Sequence, residues 1–219
     1  METESIIFDK KTLNEFKKDH LVDIILELQK EKNELRLGSN AIAELGNRVT
    51  EMERSHYLYL QYGRRESVEI TGIPETIGQK DLEEAVIDVY NAARITVHGS
   101  ALSPKDVSAC HRIGKKGKTI VRFVNRKFAM EGLVNGKNLK GTNLYGNTPI
   151  YINNSFCREF SYYGYIIRKL KANSLIDGYK IKNGVYHLKT IGSVRYDEIS
   201  HINDFAKYNL DISAYPRFT

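Results

Sequence analysis

The chain has little cysteine, no tryptophan and no long apolar run, and each shortage removes a class of protein. Cys110 and Cys157 are the only cysteines among 219 residues and stand in no CxxC spacing. A disulfide framework or a zinc ribbon has nothing to build on, and the composition suits a reducing compartment. No apolar stretch approaches the roughly 20 residues a helix needs to span a bilayer. The opening Met1-Glu2-Thr3-Glu4 is acidic rather than basic and then apolar, so a secretory signal is not expected. The expectation is a soluble intracellular protein with no membrane partner.

Catalytic spacings are missing too. His20, His56, His98, His111, His187 and His201 form no HxxxH pair and no zinc spacing with cysteine. Cys110 and His111 are neighbours in an alternating segment, so they point to opposite faces and make no dyad. Gly114 to Thr119 is too short for a phosphate-cradling GxxxxGK(S/T) loop and lies between strands, not before a helix. No enzyme, metal or cofactor is expected.

What is present is charge, unevenly spread. Residues 1–60 hold nine basic and twelve acidic side chains, and residues 61–219 hold twenty-four and fifteen. A positive body on a slightly acidic arm favours polyanions for the body and a protein partner for the arm.

From Leu21 a strict seven-residue row runs through Leu28, Leu35, Ile42 and Val49 to His56. With that row as a, the d row reads Ile24, Glu31, Gly38, Leu45, Met52 and Tyr59, polar or empty in its middle. A 3.5-residue spacing is the mark of a coiled coil. Gly38-Ser39-Asn40 is expected to weaken or interrupt the helix. Arg48 at g, Val49 at a, Met52 at d and Glu53 at e match the short arginine-apolar-apolar-glutamate signal of three-stranded coils. A trimer is the first expectation and a dimer the second. The competing reading is an amphipathic helix folded back on its own domain.

Beyond Tyr62 the periodicity changes. Ser67 to Ile73 alternates and stops at Gly72-Ile73-Pro74, a strand meeting a turn. Apolar residues at 82, 85, 86, 89 and 93 predict a helix over Asp81 to Ala93. Val107 to Ile113 and Thr119 to Val124 read as strands, Lys127 to Val134 as a helix, and Pro149 to Ile152 as a further strand. The order βαββαβ over residues 66–153 is the ferredoxin-like plan of RNA-recognition motifs. Lys116 to Phe123 fits the third-strand signature of that motif except at its two stacking rings, replaced by Lys118 and Ile120. In the first strand Glu69 takes a further stacking position and should pair with Lys118 or Arg122 across the sheet. Binding is therefore expected at the sheet edges and on phosphates.

Between His111 and Lys140 lie Arg112, Lys115, Lys116, Lys118, Arg122, Arg126, Lys127, Lys137 and Lys140, against the single acid Glu131. So many cations release counterions on meeting phosphates. After Asn154 or Ser155, either of which can cap a helix, a stripe of Phe156, Phe160, Tyr163, Ile167 and Leu170 predicts that helix. Tyr179 to Leu188 alternates around Asn183-Gly184, a strong hairpin signal, and a final helix is expected near Ile199 to Tyr208. Aromatics mix with bases here, including Arg158, Arg168, Lys180 and Lys182. Tyr162 and Tyr165 lie off the stripe and are the candidates for stacking on bases. The fold class is α+β in three parts. They are a coiled-coil arm (1–60), an RNA-recognition-like domain (61–153) and a small helix–hairpin–helix domain (154–219).

Taken in order, several short pieces resemble one family. They are Arg64-Arg65 before Ile70-Thr71-Gly72-Ile73-Pro74-Glu75, His111-Arg112, Thr119-Ile120-Val121-Arg122-Phe123, Leu139-Lys140-Gly141, and a helix with Arg158. The chain resembles the first-open-reading-frame protein of LINE-type retrotransposons, and its layout is similar to that of the baculovirus few-polyhedra protein. The retrotransposon resemblance implies a trimeric packaging protein for single-stranded RNA, with nucleic-acid chaperone activity. It also implies RNA contacts at Arg64, Arg65, the region from Lys115 to Arg122, Lys137, Lys140 and Arg158. The coil is shorter than in mammalian elements, and Asn135-Gly136-Lys137-Asn138 lacks an arginine found there. The expected partners are the chain's own transcript, DNA as a second nucleic acid, and copies of itself. The expected place is a cytoplasmic ribonucleoprotein, with the nucleus second. The alternative is a coiled-coil scaffold of the few-polyhedra type that acts through protein partners.

Overall fold

The computed structural model describes residues 18–114, 118–208 and 215. The chain is mixed α+β, with a long N-terminal helix and a four-stranded antiparallel sheet. Helix α1 runs unbroken over Lys18–Tyr62. Of the weakening or interruption expected at Gly38-Ser39-Asn40, the interruption does not occur. Glycine costs about 1 kcal/mol against alanine, but a nucleated helix gains a hydrogen bond with each added residue and carries that deficit. Contacts divide the chain between Met52 and Glu53, within α1.

In the first unit the two heptad rows carry Leu28, Leu35, Ile42, Leu45, Val49 and Met52. Their exposure runs from 55 % at Val49 to 73 % at Ile42. An apolar stripe that open to water is unusual on a finished surface.

The second unit, Glu53–Thr219, holds two hydrophobic cores. Around the first core the elements are β1 (Ser67–Thr71), α2 (Leu82–Ala92), β2 (Thr96–Val97), β3 (Ser100–Ala101), β4 (Val107–Ile113), β5 (Lys118–Phe123), α3 (Arg126–Asn135) and β6 (Tyr151–Asn154). The sheet order is β4-β5-β1-β6, and β2 with β3 makes a separate small hairpin. Alternation turns Val68, Ile70, Val121 and Phe123 inward, onto Val86, Val89 and Tyr90 of α2 and Phe128 of α3. Registers place Glu69 opposite Ile120 and Asn153, on the outer face. Gly72, with φ of +97°, ends β1 where a Cβ would lie 2.3 Å from the Pro149 carbonyl oxygen. Only glycine fits both the conformation and the gap.

The second core gathers around α4 (Arg158–Ala172) and a three-stranded sheet of β7 (Gly178–Lys182), β8 (Val185–Lys189) and β9 (Asp197–Ile199). Asn183 and Gly184 both have positive φ, as a tight two-residue hairpin turn requires. The helix expected over 199–208 divides differently. Asp197–Ile199 pairs with β8, and Ile202–Tyr208 coils as a 3-10 helix. Neither Asn154 nor Ser155 caps α4. Gln61, 2 % exposed near the end of α1, accepts from the Cys157 amide at 3.0 Å and donates to the Ser155 carbonyl at 3.1 Å.

The end of α1 is bound to the second core by charge as well. Arg54 makes two 2.8 Å bonds to the Asp204 carboxylate, which also accepts from the Ser200 and His201 amides. Burial alone would raise the Asp204 pKa. Arg54 and the two amides outweigh it and hold the carboxyl below its ordinary value. Stability from a depressed carboxylate is complete above that ordinary value and vanishes as pH falls through the folded one. Asp204→Asn should therefore cost about 3 kcal/mol at pH 7, because it strands a half-buried guanidinium. Melting curves of variant and wild type should converge as pH drops from about 5 to about 2. A gap that stays constant with pH would refute this.

Candidate nucleic-acid interface

Four cations from three separated stretches of the sequence meet in one groove. Arg64 and Arg65 follow the end of α1, Arg126 opens α3, and Lys182 ends β7. Together with Met130, Leu133 and Val134 of α3 they line a concavity of about 450 Å³ that contains no carboxylate among the described residues. Arg64 Nη1 donates to Ser155 Oγ at 3.2 Å, which anchors its position. Arg65 lies over the Tyr62 ring, 4.3 Å from its centroid, and its Nε is buried without an acceptor among the described residues. A second concavity of about 370 Å³ shares Gln61, Arg65, Lys182 and Asn183 with the first, so the hairpin turn borders two hollows, and Glu198 lines the second.

The central sheet face is neutralised, as the sequence led us to expect of Glu69. Lys118 Nζ sits 3.3 Å from Glu69 Oε2. Arg122 bonds Glu66 instead, at 3.1 Å. Exposed pairs of this kind are worth little to stability, but they lower the charge available to a phosphate. Lys118 and Glu69 share a further groove of about 510 Å³ with Arg168 and Tyr179. Arg168 hydrogen-bonds the Tyr186 hydroxyl, whose pKa is raised chiefly by burial and pulled back by that guanidinium.

Other nominated residues are placed elsewhere. Arg112 is a staple: its guanidinium donates to the carbonyls of Ile73, Pro74 and Ile77, closing the turn after β1. Lys115 and Lys116 lie outside the described residues. Lys127 is exposed, with Nζ 2.6 Å from His98 Nε2. Lys137 and Lys140 are exposed on the loop after α3, and Arg158 is exposed at the start of α4. Tyr162 corrects the sequence reading. It is 8 % exposed, packs in the second core and donates its hydroxyl to the Tyr215 carbonyl, so its ring is not open to a base. Helix α4 is buried over a wider arc than one stripe, taking in Tyr162, Tyr163, Ile166 and Ile167 together. Tyr165 is half-buried, with Tyr215 edge-on to its ring and Lys169 Nζ 5.9 Å from its centroid.

On the arm, Arg48 is exposed, whereas the Glu53 carboxylate meets His201 Nε2 at 3.1 Å inside the second unit. Burial, reinforced by Glu83 and opposed by Arg112, pushes the Cys110 thiol up to about 11, so it stays protonated near neutral pH. Burial also raises Cys157. Among the described residues no three histidine, cysteine or acidic side chains are grouped to hold a metal ion, and no helix is long and apolar enough to cross a membrane.

Lys182, Tyr62 and Tyr151 were not nominated for contact by the sequence. Lys182 stood in the sequence only among the bases mixed with aromatics, and its place beside the Asn183-Gly184 turn carries it to a loop tip. No family model matches the chain, and no curated protein matches it.

Proposed function

We propose that the chain is a self-associating binder of single-stranded RNA, and of DNA, that coats its own transcript in the manner of LINE-type first-frame proteins. The observation that carries this reading is the groove of Arg64, Arg65, Arg126 and Lys182, which no carboxylate among the described residues lines. Four cations on three elements suit a flexible phosphate chain, which can bend to meet each of them. The buried Nε of Arg65 lacks an acceptor among the described residues, a deficit that an anionic oxygen drawn into the fork would relieve. Supporting the fold assignment, the order β4-β5-β1-β6 with both helices on one face matches the ferredoxin-like plan, which we read as an RNA-recognition motif.

Contacts of this type hold backbone rather than bases, so sequence preference is weak. The exposed heptad rows bring copies together, and one captured strand then stays near its neighbours' grooves. The protein acts without catalysis or cofactor, in a cytoplasmic ribonucleoprotein that can extend to the nucleus.

Titration of a labelled unstructured RNA across salt concentrations tests the reading. Log affinity should fall linearly with log salt, by about 0.7 for each phosphate neutralised. Tight binding indifferent to salt, or none at low salt, would leave the few-polyhedra-type scaffold as the better account.

A further inference from the structure

The stretch Gly136–Tyr151 contains no acidic residue. It forms a 3-10 turn over Gly136–Leu139 and then a loop that leads into β6. This segment encloses a concavity of about 540 Å³, on a different set of residues from the four-cation groove. The volume is within the range of about 300–1,000 Å³ usual for small-ligand sites.

Its walls differ in chemistry. Leu139 and Ile150, 3 % and 5 % exposed, supply an apolar floor that is part of the first core. Asn143, Asn147 and Thr148 line it with exposed side chains that both donate and accept hydrogen bonds. Lys137 and Lys140 are exposed at its edge. Tyr151, 58 % exposed, lines it from the edge strand, where the register sets it opposite Thr71.

The loop is fastened by bonds at several points. Asn138 Nδ2 donates to the Ala93 carbonyl at 3.1 Å, and Thr142 Oγ1 to the Leu139 carbonyl at 2.8 Å. Tyr145 Oη donates to the Ala85 carbonyl at 3.2 Å. A cavity fixed in advance loses less entropy when it is filled. A merely solvated loop needs no such bracing, and it needs neither an open ring nor an apolar floor.

We propose that this concavity is a nucleotide pocket, in which one base of a single strand lies against Tyr151 and the apolar floor while its flanking phosphates meet Lys137 and Lys140. The inference rests on the single-strand reading above and adds base preference to it. The groove holds the backbone, and this pocket weighs one base through the amide and hydroxyl groups on its wall.

The test uses the full chain and fluorescein-labelled 15-mers of U, A and C, with anisotropy read at several salt concentrations. Wild type should rank the three homopolymers. Tyr151→Ala should weaken binding roughly tenfold or more and erase the ranking, at an unchanged salt slope, since stacking is not electrostatic. Tyr151→Phe should behave as wild type. Lys137→Gln with Lys140→Gln should keep the ranking and reduce the salt slope by about 1.4. If wild type binds but shows no ranking, or if Tyr151→Ala leaves affinity and ranking intact, the pocket is refuted while the single-strand reading stands. Equal losses in Tyr151→Ala and Tyr151→Phe would also overturn the stacking role. If wild type binds none of the strands at low salt, the single-strand reading fails and the pocket with it.

Discussion

Replacing Arg64, Arg65, Arg126 and Lys182 together with glutamine is expected to cut the affinity for unstructured single strands by about 10²–10³ at moderate salt. Each phosphate contact on a single strand accounts for about 0.7 in the salt exponent, so losing four should flatten the slope by nearly three. The slope is the sharper readout, because a misfolded variant loses binding without losing it in that proportion. Two of the four also support structure. Arg64 bonds Ser155, and Arg65 packs on Tyr62, so some loss of thermal stability should accompany the quadruple change. Replacing Arg65 removes a buried donor that has no acceptor among the described residues, which offsets part of that cost. A control in which Arg122 becomes glutamine should change little, since Glu66 already neutralises it. If that control equals the quadruple variant, binding lies on the sheet face and the groove is incidental.

The second large effect concerns the arm. Leu35 and Ile42 are 69 % and 73 % exposed, so changing both to aspartate disturbs little packing among the described residues. In a self-associated coil both occupy the a row, and burying two charges per helix there should dissociate the assembly. Sedimentation should then report the 25.1 kDa chain in place of a multiple of it. Binding to long RNA should fall by about 10²–10⁴ through lost avidity, while binding to a strand short enough for one subunit should hardly change. Unaltered mass would make the stripe a docking face for another protein. The structure also decides how to remove the arm. A deletion through residue 60 takes away Glu53 and Arg54, which bond His201 and Asp204, whereas one ending at Met52 leaves them in place.

The mixed α+β class was legible because periodicity in the second unit reports local burial, and the long helix because its apolar rows keep a helical spacing. Val68 and Ile70 alternate inward, and Leu82, Val86 and Val89 follow a helical row. The Glu69–Lys118 pair could be anticipated because cross-strand neighbours follow from register. Three things were not legible, each for a physical reason. Arg112 reads as one more cation in a basic run, and nothing in a sequence says that three carbonyls of a distant turn will take its donors. Tyr162 seemed to face away because a single stripe was assumed, but α4 is covered by both the hairpin and the 3-10 segment. The groove itself joins positions 64, 65, 126 and 182, whose meeting depends on how two cores pack. Local propensity also overstated Gly38, since a long helix absorbs one weak position.

The side chain of Gln61 has a consequence for how this molecule can be recombined. It closes the amide end of α4, and a Cβ on Gly184 would lie 2.8 Å from its Nε2, so helix and hairpin share one inserted amide. The residues after β6 are thus an incomplete lobe, whose missing piece comes from α1, about ninety positions earlier in the chain. A transplant of residues 154–219 into a relative would arrive without its plug unless Glu53–Tyr62 travelled with it. Exchange between diverging copies of such a gene is then constrained at two separated segments at once, and crossovers between them should yield chains that fold poorly.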